Sequence, residues 1–308
     1  MSDLKPFNQT KLFGLDKYIN ELIRLENLDK LPNIILLSGQ KGLGKSTLAY
    51  HFINYVLSKN EDYNYDQNRF VINPENRSFK TILNKSNTNL TSIDINDDKK
   101  FIDLAQIREL ISNLKKSSLN DKPRFVLIDN IEFLNINSVN SLLKVIEEPS
   151  HNVYFILINN NKRIIRTLLS RCINFKISLS HEESLEIAQS LIGTNLDELI
   201  NKDLVNYYFT PGNIFHLINF AKKNSYDLKN FTLKDFLEVI INNGDFKKNS
   251  SIEYLIFDFV EFYFSKINAS LNIHLKYQYF IKKINDTKKF NLDYESLFME
   301  FKEKILNG

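Results

Sequence analysis

Gly39-Gln40-Lys41-Gly42-Leu43-Gly44-Lys45-Ser46 is the stretch that decides the fold. It satisfies the full G-x-x-x-x-G-K-[ST] spacing, whose meaning depends on what flanks it. Ile34, Ile35, Leu36 and Leu37 form a short apolar run ahead of it, and Leu48, Phe52, Ile53 and Val56 recur behind it at helical spacing. A strand, a glycine turn and a helix therefore follow one another. Glycines let backbone N–H groups turn inward around phosphate, and the helix N-terminus adds positive potential there. Lys45 is expected to reach the β- and γ-phosphates and Ser46 to ligate Mg²⁺, with Gly39, Gly42, Gly44 and Thr47 as further nucleotide contacts. The bland alternative is a tight structural turn with an incidental lysine.

Downstream, Ser92 to Ile95 reads as a strand, and Leu104, Ile107, Leu110, Ile111 and Leu114 share one helical face. Phe125–Ile128 and Val153–Ile158 are clearer strands, bracketing a helix from about Ser138 to Glu147, and a last strand lies near Ile173 to Ile177. Buried strands alternating with helices predict an α/β domain with a parallel sheet covered on both faces. Tyr63 to Thr91, rich in Asn, Asp and Ser, carries little apolar pattern and reads as an insertion. From Ser180, paired with Glu183 in a capping box, the pattern is helical only. Thr210-Pro211-Gly212 interrupts it, and Thr232 with Asp235 marks another helix start. The aromatic run Tyr254, Leu255, Phe257, Phe259, Phe262, Tyr263 is too apolar for a singly exposed helix and suits a helical core or a subunit contact.

Composition sets the outer limits. The chain has 308 residues, 43% of them hydrophobic, enough for two or three folded domains. Its single cysteine, Cys172, excludes an intrachain disulfide framework and a Cys-rich zinc module, and fits a reducing, cytoplasmic setting. Neither a secretory leader nor a run of roughly 20 apolar residues is present, so no membrane role is expected. The net charge of +3 is too small to argue for or against nucleic acid. Lys115, Lys116, Lys122, Lys282, Lys283, Lys288 and Lys289 leave a direct DNA-binding reading open beside that of solvated helix faces.

Asp129 ends the apolar run Phe125–Ile128, which places a carboxylate at the tip of a buried strand, where open α/β sheets bind ligands. It is the second candidate Mg²⁺ group, with a simple turn cap as the alternative. Asn130 follows, an amide that cannot accept a proton from water; Glu132, two residues further on, is expected to point elsewhere. Asn159 ends the next strand, at the place where ATPases of the family this chain resembles carry a polar residue that senses the γ-phosphate.

Asn140-Ser141-Leu142-Leu143-Lys144-Val145-Ile146-Glu147-Glu148-Pro149, with Ser170-Arg171-Cys172, resembles the bacterial sliding-clamp loader family. Lys144 and Glu147 lie one turn apart, and Pro149 is expected to stop the helix. The resemblance implies an AAA+ ATPase-type domain over residues 1–177, a helical lid over 178–228 and a helical C-terminal collar over 229–308. It implies ATP or ADP with Mg²⁺ and no zinc, since the family's zinc cysteines are absent between residues 63 and 91. It makes Arg171 an arginine finger acting in trans on a neighbouring subunit, where a guanidinium stabilises phosphoryl charge; a structural arginine paired with a carboxylate is the alternative. Cys172 reads as a packed residue rather than a nucleophile. Active members carry a glutamate where Asn130 stands and a lid arginine where Asn213 stands. The departures imply a subunit with weak or no ATPase of its own. The implied partners are gamma/tau and delta subunits, and, through the assembly, the sliding clamp and primer-template DNA. An ATP-hydrolysing gamma/tau-type motor and a small-molecule P-loop kinase remain the alternatives.

Overall fold

A computed structural model describes residues 4–96, 99–116, 120–148, 152–267, 271–290 and 292–307. It divides the chain into two compact units, Met1–Leu179 and Ser180–Gly308. Pro149 lies outside the described residues.

In the first unit, α1 (Asp16–Asn27), β1 (Ile34–Ser38), α2 (Lys45–Ser58), α3 (Arg77–Leu83), β2 (Leu90–Ile93) and α4 (Leu104–Leu114) come first. Then follow β3 (Arg124–Ile128), α5 (Ile136–Glu147), β4 (Val153–Asn159), α6 (Arg166–Leu169) and β5 (Ile173–Lys176). The strands make one five-stranded parallel sheet in the order β2-β3-β4-β1-β5. Parallel neighbours need crossovers, which lay helices on both faces.

Period-2 alternation sorts each strand between two cores. Ile35 and Leu37 of β1 join Leu48, Phe52 and Ile53 of α2 and Ile19 of α1. Ile34 and Leu36 join Ile107 and Leu110 of α4 and Val139 and Leu142 of α5. Burial on both sides is why β1, β3 and β4 read as unbroken apolar runs. Phe52 is fully buried in the first core, so Phe52→Ala removes about 3–5 kcal/mol of stability.

At the sheet edge the sequence pattern is weaker. β2 runs from Leu90, pairing with Phe125, to Ile93, pairing with Ile128, two residues earlier than the pattern predicts. Asp94 leaves the ladder because its side chain turns back to accept the N–H of Ile95 at 2.7 Å. The Tyr63 to Thr91 segment is tied down by scattered apolar anchors, Tyr65, Ile72, Phe79 and Ile82 in the first core, and by polar groups. Asn76 caps α3, accepting from Phe79 N at 2.7 Å and from Asn54 Nδ2 at 3.1 Å while donating to Tyr63 O at 2.7 Å. Glu61 accepts from Ser78 Oγ at 2.6 Å and from Lys122 Nζ at 2.9 Å. Tyr65 and Phe79 add buried apolar surface.

The second unit contains α7 (His181–Ile192), α8 (Leu196–Leu199), α9 (Pro211–Asn224), α10 (Leu233–Asn243) and α11 (Asp245–Lys248). It continues with α12 (Ser250–Lys266), α13 (Leu271–Phe290) and α14 (Tyr294–Phe301) and has no strand among its described residues. Both predicted capping boxes form: Ser180 with Glu183 opens α7 and Thr232 with Asp235 opens α10. Thr210 caps α9, with Pro211 at its first position. The aromatic run lies in α12, where Leu255, Phe257, Phe259 and Phe262 are buried while Tyr254 stays largely exposed. Phe259 meets Phe236 of α10 with ring centroids 5.0 Å apart. Among the described residues, no helix is long and apolar enough to cross a membrane.

Candidate functional site

The ends of β1, β3 and β4 converge on one corner of the first unit, and the glycine turn bridges β1 to α2. Gly39 lies so close to the chain after β5 that an added Cβ would sit 2.4 Å from the carbonyl oxygen of Ile177. Gly44 opens α2 with φ +83°, a conformation that disfavours side chains. Lys45 is the first residue of α2 and is 3% exposed. Its ammonium donates to Gly39 O at 2.9 Å, Gln40 O at 2.6 Å and Asn160 Oδ1 at 2.9 Å. The loop's own carbonyls thus hold the charge that phosphate oxygens would take. Burial lowers the Lys45 pKa to about 8, against the raising influence of Asp129 and Glu132.

Asp129 stands beside the loop at the tip of β3, and its carboxylate accepts the hydroxyl of Ser46. Burial is the main cause that pushes the carboxyl up to about 6; Ser46, Asn130 N–H and Lys45 oppose it, and Asp94 reinforces it. A hydroxyl and a buried carboxylate side by side form a hard oxygen pair suited to Mg²⁺. The residues present therefore fit the nucleotide and metal that the loop motif implies. Gly42 and Thr47 lie on the same loop and first helical turn, both part-exposed.

Asn130, in the left-handed conformation at φ 55°, bridges two neighbours. Its Nδ2 donates to Asp94 Oδ1 at 2.7 Å, and its Oδ1 accepts from Asn160 Nδ2 at 2.8 Å. Glu132 does not point elsewhere. The tight helical turn Ile131–Phe133 swings it back, and its carboxylate accepts from Asn160 Nδ2 at 3.1 Å and from Asn160 N at 3.4 Å. Asn159 donates its side-chain amide to Lys162 O at 2.9 Å, so the residue that meets Lys45 is its neighbour Asn160. Asp94 and Asn160 are the site residues that the sequence did not single out. Polar residues at the ends of adjacent parallel strands are the signal that finds them.

Arg171 lies elsewhere on the first unit, just after α6, and is exposed. Its Nη2 donates to Glu147 Oε1 at 2.6 Å and its Nη1 to Thr167 O at 2.7 Å. Cys172 donates Sγ–H to Leu168 O at 3.1 Å, and burial raises its pKa to about 11, which suits packing and not nucleophilic attack. In the second unit Asn213 is buried on the first turn of α9, its N–H donating to Thr210 Oγ1 at 3.3 Å. Several candidate DNA-binding lysines are engaged within the chain: Lys116 with Asn113, Lys122 with Glu61 and Leu57 O, and Lys283 with Glu300. The side chains of Lys288 and Lys289 lie outside the described residues.

A glycine turn between a parallel strand and a helix, flanked by polar strand tips, together with a helical second unit, defines the class as AAA+. The family profile described as "DNA polymerase III, delta subunit" matches residues 14–181. The chain belongs to that family, among the clamp-loader subunits its motifs resemble. It is 27% identical over 239 residues to the DNA polymerase III subunit gamma of Buchnera aphidicola subsp. Schizaphis graminum, covering 74% of this chain and 63% of that one. To the subunit delta' of the same organism it is 26% identical over 293 residues, covering 90% and 84%. The fold is shared with a gamma subunit-related protein from Thermotoga maritima, at TM-score 0.52 and 14% identity over 91% of this chain and 96% of that one.

Proposed function

We propose that the chain is a delta-prime-like subunit of the bacterial DNA polymerase III clamp loader. It holds ATP or ADP at Gly39 to Ser46 as a mainly structural ligand and serves a neighbouring subunit through Arg171. In this reading residues 1–177 are the ATPase-type domain, 178–228 the lid and 229–308 the collar that joins the gamma/tau and delta subunits. The assembly loads the sliding clamp onto primer-template DNA.

The observation that carries the reading is the contrast between two places in the first unit. At the chain's own loop, Asn130 is committed to Asp94 and Asn160 and offers attacking water no base. At Arg171, a guanidinium stands exposed and oriented, with nothing from the loop near it among its hydrogen-bond partners. Gly39, Gly42 and Gly44 would admit phosphate, with Lys45 exchanging its loop carbonyls for phosphate oxygens and Thr47 adding a contact from the first turn. Ser46 and Asp129 would hold Mg²⁺, which supplies charge neutralisation on the phosphates. Asn159 orders the turn after β4 that presents Asn160.

Arg171→Ala tests this. Expected are an unchanged fold and assembly, and DNA-stimulated ATP hydrolysis that drops by on the order of a thousandfold at the site the finger serves. Unchanged hydrolysis in the reconstituted loader would count decisively against a finger in trans.

One observation favours the gamma/tau-type motor instead: the Glu132 carboxylate, beside Asn160 and within electrostatic reach of Lys45. Robust ATP turnover by the isolated chain, lost on Lys45→Ala, would select that reading.

A further inference from the structure

We propose that Glu147 is a positioning residue for the arginine finger: it fixes the direction in which Arg171 meets the neighbouring subunit's nucleotide. This rests on the assignment of Arg171 made above and adds a second residue, on a different element, to that function.

An arginine side chain alone has many rotamers, and aiming its planar fork at an anion costs entropy unless other contacts hold it. Here two contacts from different elements hold it. The carbonyl of Thr167, one turn back in α6, takes Nη1 at 2.7 Å. Glu147, the last residue of α5, takes Nη2 at 2.6 Å. One carbonyl fixes a point of the guanidinium; a second acceptor from another direction fixes its plane.

Stability is a poor explanation for the pair. Both side chains are well exposed, 36% for Arg171 and 50% for Glu147, and such an ion pair contributes about 0–1 kcal/mol. The sequence offers Glu147 a nearer partner in Lys144 on its own helix, yet the ion pair formed is with Arg171, 24 residues away. A carboxylate at a helix C-terminus is also unfavourable against the macrodipole; Lys144 in the last turn of α5 offsets the dipole, and the cation that bonds the carboxylate itself is Arg171. Neither contact involves the nitrogen Nε, so part of the donor fork is left for an incoming anion.

The pairing has a further structural consequence. α5 begins seven residues after Asp129, at Ile136, so the helix that holds the finger in place is the one leading out of the chain's own nucleotide corner. The finger is thereby braced on the sheet's covering layer and not on the α6 turn alone.

The experiment is single-turnover ATP hydrolysis by the loader reconstituted with its partner subunits, comparing wild type, Glu147→Gln, Glu147→Asp, Arg171→Ala and the double variant Glu147→Gln/Arg171→Ala. Expected for Glu147→Gln is a roughly tenfold fall in the rate constant at the served site with ATP affinity unchanged, since orientation and not binding is lost. Glu147→Asp keeps the charge and falls between Glu147→Gln and wild type. The double variant is no slower than Arg171→Ala, because Glu147 acts only through the finger. Wild-type rates in Glu147→Gln alongside a slow Arg171→Ala overturn this inference and leave the finger standing. An additive loss in the double variant also overturns it. A wild-type rate in Arg171→Ala instead removes the functional reading beneath it.

Discussion

Asp129 shows what the candidate binding corner costs the chain at the scale of one residue. Its carboxyl is buried, and its pKa is pushed up to about 6, above the 3.8 of an unfolded chain. Between those values the folded state keeps a proton that the unfolded state has lost, so stability falls as pH rises from about 4 through about 6. Replacing Asp129 with Asn removes the titration. The unfolding free energy of Asp129→Asn relative to wild type is expected to rise by on the order of 1–3 kcal/mol between pH 4 and pH 7. Urea melts at the two pH values measure it, and a difference that stays flat would mean the carboxyl is not strained. Adding Mg²⁺ with nucleotide at pH 7 should shrink the gap by stabilising wild type more than the variant, which keeps the glycine loop and Lys45 but lacks the carboxylate. Lys45, Ser46 and Asp129 were legible in the sequence because a fixed spacing or a strand end announces them. Arg171 was legible too, with a carboxylate pairing as its bland alternative, and the structure does pair it with a carboxylate, Glu147. Asp94, Asn160 and the choice of Glu147 were not legible, since each gains meaning only when separate strand tips or helix ends are brought together.

The central strands were legible because they are buried, while the exposed β5 was still found to within a residue at Ile173–Lys176. β1, β3 and β4 are covered on both faces and announce themselves as apolar runs; β2 lies at the edge, and Thr91 and Ser92 in it are part-exposed or exposed, so its register was read two residues late. The capped starts of α7 and α10 were readable because a capping box is a local interaction spanning four residues. α3 shows the opposite case. Phe79 and Ile82 bury one side of it, but its start depends on Asn76, a fully buried side chain that caps the helix and links Asn54 to Tyr63 O, and an Asn-rich segment gives no hint of which amide does this. Asn76→Ala removes a cap and strands Asn54 Nδ2 and the Tyr63 carbonyl. It is expected to lower stability by about 2–4 kcal/mol and to expose the α3 segment to hydrogen exchange before the sheet. Loss of less than about 0.5 kcal/mol in denaturant melts would show that solvent replaces those bonds without penalty.

At the scale of the whole molecule, the division at Leu179 makes a claim about autonomy. The first unit closes its own sheet: β5 pairs with β1, and just beyond it Ile177 N–H donates to Ser38 O at 2.7 Å while its carbonyl lies against Gly39. Ser178 N–H then donates to the Tyr18 hydroxyl at 2.9 Å, tying the chain end to α1. A fragment ending at Leu179 keeps all of these and both apolar cores, so it is expected to unfold cooperatively on its own. A fragment ending at Cys172 keeps the glycine loop but loses β5 and Ile177. That leaves β1 as an open apolar edge and removes the wall that Gly39 packs against. It is expected to aggregate or to melt without a cooperative transition. Circular dichroism melts and sedimentation of the two fragments distinguish the outcomes. If both behave alike, β5 contributes nothing decisive and the phosphate loop is held by β1 and α2 alone. If the longer fragment melts cooperatively and the shorter does not, β5 beside the loop is what holds the sheet that carries Gly39.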